Sequence, residues 1–412
     1  MLDKTTLPKN WKIACFFELL DYIQPTNYIV ESTEYNDNYK TPVLTAGKSF
    51  IIGYTNEKEG IFNSLPVIIF DDFTTATQFV NFPFKVKSSA MKILHPKDEL
   101  VNIKFVFYYM QTVRIKSETH KRYWISEYSK LPIPLPTLSE QQQVVSKIEK
   151  LFSELDKGKQ QLETVRQQLK TYRQSVLKWA FEGKFTSVNE STAGTSRDLS
   201  RSTDNLKSLP EGWKWVSLDD LCDSKRKCSY GVLVPGEHDE NGIRLIRVGD
   251  IDDTGRIANV NLKKISPVIA RKFKRTFLEG DEIVISLVGA IGRTAVVPIS
   301  LKGANIARAV GVIPISKDIS SKFVEMMLRS PSKIKEHNEK AHEVARKTLN
   351  LEDVKKSKIP LPPREVQENI VLEIETRLSG CDKMEETIEN SLRQVESLRQ
   401  SILKQAFEGK LV

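Results

Sequence analysis

The chain has 412 residues, 62 Lys and Arg against 53 Asp and Glu, and a net charge of +9, with 40% hydrophobic residues. This length suits two or three domains with ordinary cores. No stretch approaches the ~20 apolar residues of a membrane span, and the N-terminus lacks the apolar core of a signal peptide, so a cytoplasmic protein without membrane contact is expected.

The first element is a globular part, residues 1–138, opening on Leu7-Pro8-Lys9-Asn10-Trp11-Lys12. It carries β-rich runs at Val67–Phe70 and Lys104–Tyr109, with Asp71-Asp72 read as solvated carboxylates at a strand end. Ile133-Pro134-Leu135-Pro136 leads into residues 139–184. There Ile148, Leu151, Leu155, Leu162, Val165, Leu169, Tyr172, Val176 and Trp179 recur in steps of three and four, which predicts a long helix with a heptad seam. Gly183 stands where that helix would end. Residues 185–208 are rich in Ser and Thr and read as a flexible linker. A second globular part, residues 209–364, has β runs at Ile283–Ser286 and Val310–Ile313. Between strands, Gly289-Ala290-Ile291-Gly292 predicts a tight turn. A second helix is predicted over 365–412, its seam formed by Ile374, Cys381, Met384, Ile388, Val395, Leu398 and Ile402, with Arg377, Ser391 and Gln405 interrupting it and Gly409 at its end. The fold class is therefore α+β: two mixed domains separated by a long antiparallel two-helix coiled coil.

The order variable–fixed–variable–fixed is an internal repeat. IPLP at 133–136 returns at 359–362, and Ala180–Lys184 returns as Ala406–Lys410, both 226 residues later with no gap between. Leu209-Pro210-Glu211-Gly212-Trp213-Lys214 echoes the opening motif only 202 residues on, so the second globular part is the longer. A helix of about 40 residues is about 60 Å long. It needs an equally long partner, and the other copy is the one available. Residues 139–184 sum to +3 and residues 365–412 to −4, which favours pairing between the copies.

IPLP with its Glu/Gln-rich helix start, the C-terminal LRQSILKQAFEGKLV, Val284–Val297 and Pro66–Leu94 together resemble the specificity subunit of type I restriction–modification systems. The resemblance covers nearly the whole chain. It implies that each globular part is a target-recognition domain for one half of a bipartite double-stranded DNA site. It further implies that two methyltransferase (modification) subunits dock on the helical region, that restriction subunits join that core, and that this subunit is non-catalytic and needs no cofactor. The residues also admit an autonomous bipartite DNA-binding protein or a coiled-coil scaffold that does not touch DNA.

The chemistry carried by the residues agrees with a reader rather than a catalyst. No N-P-P-[FYW] run, phosphate loop or histidine pair with metal spacing is present. Cys15, Cys222, Cys228 and Cys381 form no C-x-x-C pair and are expected to be free thiols in a reducing compartment. The positive surplus is uneven, +2 in residues 1–138 and +8 in residues 209–364. Lys and Arg hold phosphates, and Arg, Asn, Gln and hydroxyl side chains read base edges. The expected contacts are Thr74, Thr75, Thr77, Lys85 and Lys87 in the first domain. In the second they are Arg244, Arg247, Arg271, Lys272, Lys274, Arg275, Arg293 and Arg308. The repeat places His120-Lys121-Arg122 over Arg346-Lys347-Thr348, which adds Lys121, Arg122, Arg346 and Lys347.

Overall fold

The computed structural model describes residues 7–47, 49–115, 122–182, 209–258, 260–343 and 346–411. The predicted linker at 185–208 and Gly183 lie outside them. Two compact units emerge, Met1–Thr164 with Ile388–Val412, and Val165–Thr387.

In the first unit the strand Lys12–Cys15 pairs antiparallel with Pro132–Leu135, Ile13 facing Pro134 and Cys15 facing Pro132. The two short sequence marks are thus strand partners. Proline has no N–H to give a ladder and belongs where none is needed. Pro132 and Pro134, two residues apart, set their N atoms on the same edge of the strand; Pro132 is exposed, while Pro134 and Ile133 are buried. The second unit builds the same ladder from Lys214–Ser217 and Lys358–Leu361, with Trp215 facing Pro360 and Ile359 buried.

The two larger sheets of the globular parts correspond strand for strand even though the 226-residue register fails inside them; among the described residues only the second part adds a hairpin, His342–Glu343 with Lys347–Thr348. The first has a four-stranded sheet in the order Leu20–Ile23, Met91–Pro96, Val67–Asp71, Thr77–Val80. The second orders Ser229–Tyr230, Val310–Ile313, Ile283–Ser286, Thr294–Val296. A three-stranded sheet accompanies each, closed by a parallel pair: Thr41–Leu44 with Lys85–Val86, and Ile243–Ile246 with Asn305–Ile306. Strand Val67–Asp71 is apolar without alternation because both of its faces are covered. Val67 and Ile69 pack with Leu44, Phe84 and Ile93, whereas Ile68 and Phe70 pack with Phe16, Phe105 and Tyr128.

One predicted strand is a helix. Residues Ile103–Met110 are α-helical, capped by Asn102, whose side chain accepts from the backbone N–H groups of Lys104 and Phe105 at 3.0 and 3.2 Å. The aromatic density of KFVFYY imitates a strand. Burial of Phe105, Val106, Tyr109 and Met110 instead follows the helical period. Its counterpart in the second unit is the helix Ser321–Leu328, capped by Ser320.

Each capped helix is latched to a long helix by a buried glutamine. Gln141 accepts from the Asn102 N–H at 2.8 Å and donates to the carbonyls of Leu100 and Pro136. Gln367, its repeat mate, accepts from the Ser320 N–H at 2.9 Å and donates to the Pro362 carbonyl at 2.9 Å.

The long helices run Leu138–Phe181 and Arg364–Phe407, 44 residues each. The first starts on a capping box, Thr137 and Glu140 bonding each other's backbone N–H. The second ends on Gly409, whose φ of 70° supplies the left-handed turn a helix stop needs. The end of one helix completes the core begun by the start of the other. In the first unit Leu403, Ala406 and Phe407 join Val144 and Ile148, and the Phe407 ring meets those of Phe105 and Tyr109 edge-on at 5.2 and 5.0 Å. In the second, Val176, Leu177 and Ala180 join Ile370 and Ile374, and the Phe181 ring meets that of Phe323 at 5.4 Å.

The helices pack antiparallel, and the ion pairs between them follow the repeat. Arg173 holds Asp382 at 2.6 Å and Glu385 at 3.0 Å, while Arg399 holds Asp156. Arg173 and Arg399 are repeat mates, as are Asp156 and Asp382. The expected seam needs correction. Ile148, Val176, Ile374 and Ile388 are buried, and Leu151, Leu155, Leu162, Leu169, Val395 and Ile402 are half-buried. Val165, Tyr172, Met384 and Leu398 remain 41, 45, 56 and 50% exposed, as does Trp179 at 45%. Arg173 and Leu378 are buried in their stead. A strict 3.5-residue period drifts against a straight 3.6-residue helix. A guanidinium satisfied by two carboxylates can occupy a seam position, and the adjacent tyrosine keeps its hydroxyl in water.

Candidate nucleic-acid interface

In each unit, a hairpin turn leaving the doubly covered central strand carries part of the expected contacts. The first runs from Asp71 to Ala76. The Asp71 carboxylate accepts from the N–H groups of Phe73 and Thr74 at 2.9 and 3.0 Å. Thr75 sits at φ 58°, a left-handed conformation that costs a β-branched residue energy and is held by its N–H bond to the Asp71 carbonyl. Thr74 and Phe73 are exposed at the tip. Thr77 accepts from the Gln111 side chain at 2.6 Å and begins the next strand, so it supports the turn. Asp72 is not a solvated carboxylate. It is 3% exposed, accepts from the Trp124 N–H at 2.8 Å, and lies 3.7 Å from Lys92.

The second turn runs from Leu287 to Arg293, with Gly289 and Gly292 at φ 79° and 82°. Arg293 leaves it toward Asp253, donating at 2.7 Å.

Both turns are pinned by the segment that precedes the IPLP strand. Tyr123 donates its N–H to the Asp72 carbonyl at 2.9 Å, and Leu349, its repeat mate, donates to the Leu287 carbonyl at 2.8 Å. Gly289 adds a bond to the Lys347 carbonyl at 3.0 Å. The structure therefore brings Arg122 beside the Thr74–Thr75 turn, and Arg346 and Lys347 beside the turn of Arg293. Arg122 and Arg346 are exposed, and Lys347 is half-buried on the hairpin His342–Glu343/Lys347–Thr348. Lys121 lies outside the described residues.

The remaining expected contacts scatter. Lys85 is a correction. It is 3% exposed on the parallel strand of the smaller sheet, bonded to the Glu59 carbonyl at 2.8 Å and paired with Glu57 at 2.6 Å. An ammonium in that position must be paired where it is, so it does not reach a surface ligand. Its bonds, with those from the N–H groups of Glu31 and Ser32, hold the Glu57 carboxyl below its usual range against the opposing effect of burial. Lys87, two residues on, is exposed. Arg244 donates to the Ser300 carbonyl at 2.8 Å, and Arg247 grips Asp250 with two bonds of 3.1 Å. Arg271, Lys272, Lys274 and Arg275 form an exposed run over the short helix Pro267–Arg271 and the turn after it, and among the described residues they enter no ion pair. Arg308 is exposed as well. Sequence reasoning passed over Lys225 and Lys227, exposed on the loop between Cys222 and Cys228. Their signal was the basic run SKRK, read only for its cysteines.

What this arrangement can do chemically is hold a polyanion with unpaired cations while a tip of hydroxyl, ring and amide groups faces it. Among the described residues no helix is long and apolar enough to cross a membrane.

Comparison with known proteins matches the same two parts of the chain. Residues 8–164 and 210–394 fit a family model described as the type I restriction modification DNA specificity domain. The type I restriction enzyme EcoBI specificity subunit of Escherichia coli is 39% identical over 281 residues, 68% of this chain and 58% of that protein. The EcoR124I/EcoR124II specificity subunit, also of Escherichia coli, is 48% identical over 145 residues, 32% of this chain and 36% of that one. The matches thus span less than two thirds of each of these relatives. A solved structure reported as "Structural basis underlying complex assembly and conformational transition of the type I R-M system" is similar in fold, with a TM-score of 0.69 at 17% identity over 98% of this chain and 99% of that one.

Proposed function

This chain belongs to the type I restriction modification DNA specificity family, and on that premise we propose that it is the DNA-reading subunit of a type I restriction–modification complex. Each globular domain reads one half of a bipartite double-stranded site. The helices set the unread spacer and carry the docking surface for two methyltransferase subunits, which supply the catalysis this chain lacks; restriction subunits complete the complex in the cytoplasm. In domain terms, residues 1–138 and 209–364 read, and residues 139–184 and 365–412 measure and dock.

The observation that carries the reading is the pinned turn. Two units share one frame down to a single repeat-matched backbone bond, Tyr123 to Asp72 and Leu349 to Leu287. Yet they present turns of unrelated composition, one built on threonines and one on glycines and Arg293. A constant frame with variable tips is what two different half-sites require. The exposed cations Arg122 and Arg346 beside the turns, and separately the exposed run Arg271–Arg275, suit phosphate contact.

The test is to co-express the chain with methyltransferase subunits and map methylated positions in the host DNA. The proposal expects a motif of two short defined halves around an undefined spacer, and exchange of residues 209–364 for the matching part of a relative should change one half alone. A single continuous motif, or loss of both halves on that exchange, would overturn it. Full sequence specificity by the chain without methyltransferase subunits would favour an autonomous DNA-binding protein.

A further inference from the structure

Among the described residues, the second unit holds a ligand set that the first does not. Asp219 begins the turn Asp219–Leu221, Cys222 follows it, and Cys228 precedes the strand Ser229–Tyr230. The thiol sulfurs lie 3.3 Å apart, and one carboxylate oxygen of Asp219 lies with both sulfurs inside a set no wider than 4.8 Å. The backbone on both sides is anchored: Cys222 donates its N–H to the Asp219 carbonyl at 3.2 Å, and Asp223 donates to the Pro314 carbonyl at 2.9 Å. Both cysteines are half-buried, which leaves a path for an ion. The sequence alone had argued against a metal here because it offered two thiols and no third ligand. The fold supplies the third.

We propose that Asp219, Cys222 and Cys228 bind a soft divalent cation of the zinc class, with solvent completing a four-coordinate site. Two zinc-bound sulfurs at about 2.3 Å from the ion stand about 3.8 Å apart in a tetrahedron. The observed 3.3 Å therefore needs to open by only about half an ångström. Charge supports the assignment. Two thiolates and a carboxylate around a divalent ion leave one negative charge, and the Lys355 ammonium lies 3.5 Å from Asp219 to offset it, while also holding Glu352 at 3.2 Å.

The consequence is structural. The ion would close the base of the loop Asp223–Lys227, which carries Lys225 and Lys227 on its exposed side and ties Arg226 to Glu282 at 2.5 Å. Metal loading would thereby fix a basic loop whose two ends are otherwise joined by a thiol hydrogen bond.

The test uses the full-length chain without an affinity tag, reduced and stripped with a chelator, and titrated with Zn²⁺ in a calorimeter. One equivalent is expected to bind with proton release. Cys222→Ser and Cys228→Ser should each weaken binding at least ~100-fold and Asp219→Asn about 10-fold; trypsin cleavage after Lys225 should slow on loading in the parent chain only. Asp219→Asn keeps both thiols and serves where a serine variant misfolds. The inference falls if the parent chain binds no stoichiometric Zn²⁺, if both serine variants bind as tightly as the parent, or if the chain isolated from reducing cells carries a Cys222–Cys228 disulfide.

Discussion

Gln141 and Gln367 sit at the helix starts where an apolar seam would be expected, and each is 1% exposed. A buried amide is tolerated only when its donors and acceptor are used. These use theirs on a capping residue's N–H and on carbonyls of the same unit. Gln141→Ala would leave the Asn102 N–H and the Pro136 carbonyl without partners in a dry place. It should cost the first unit about 2–3 kcal/mol in urea denaturation, and a loss below about 0.5 kcal/mol would contradict the latch. A second residue-scale prediction concerns pH. His337 is fully buried, with Nε2 3.1 Å from the Ser357 hydroxyl and Nδ1 unpartnered among the described residues. Burial lowers it to about 4, with Lys333 and Lys340 pushing the same way and Glu336 opposing. A histidine depressed by folding binds its proton more readily when unfolded, so the stability of the second unit should fall as pH drops from about 6.5 toward 4. Glu336 carries its own acid loss below that window, since its carboxyl is lowered to about 2 despite burial, by Lys333 and Lys340. His337→Gln should flatten the 6.5-to-4 portion of the stability profile; an unchanged slope would show that another group titrates there.

At the scale of elements, the two long helices are exchanged parts, each finishing the core of the copy it does not follow in sequence. Phe407 is 4% exposed between Phe105 and Tyr109, so Phe407→Ala should cost the first unit about 3–5 kcal/mol. Hydrogen exchange should rise around residues 103–110, far from the change in sequence, and not in the second unit. Protection lost only within the C-terminal helix would argue against the exchange. The ion pairs give a graded comparison. Arg173 is buried against two carboxylates, whereas the Arg399 pair is more open, with Asp156 at 61% exposure. A double-mutant cycle on Arg173 and Asp382 should show a coupling of about 1–3 kcal/mol, and one on Arg399 and Asp156 less than about 1 kcal/mol. Much of this was legible in sequence. The ungapped register placed both helices, and strand Val67–Phe70 read correctly because a run covered on two faces needs no alternation. KFVFYY did not, since a short apolar stretch has no period long enough to separate helix from strand. Lys85 and Asp72 failed for another reason. A charge is expected at the surface, and burial paid for by Glu57 or by Trp124 and Lys92 depends on partners distant in sequence.

For the whole molecule, the division of labour follows from where the repeat holds and where it breaks. The long helices, the IPLP strands and the donors of the pinning bonds keep the 226-residue register; the strands opening each globular part stand 202 residues apart, and the turns keep no common register. The family resemblance was readable from IPLP and the C-terminal helix, but the contact residues were legible only in part. Arg122, Arg346 and Lys347 come beside the turns as the repeat suggested, whereas Arg244, Arg247 and Arg293 serve internal acceptors that no spacing reveals. The central claim is that the repeated part measures and the unrepeated part reads. It is tested most directly by inserting one heptad after Thr164 and one after Asn390, positions that face each other in the register fixed by the two arginine–aspartate pairs. Seven residues add about 10 Å, or about three base pairs. Methylation mapping of DNA from cells carrying the altered chain and its methyltransferase partners should return both half-sites unchanged with a spacer about three base pairs longer; an unchanged spacer would contradict the claim.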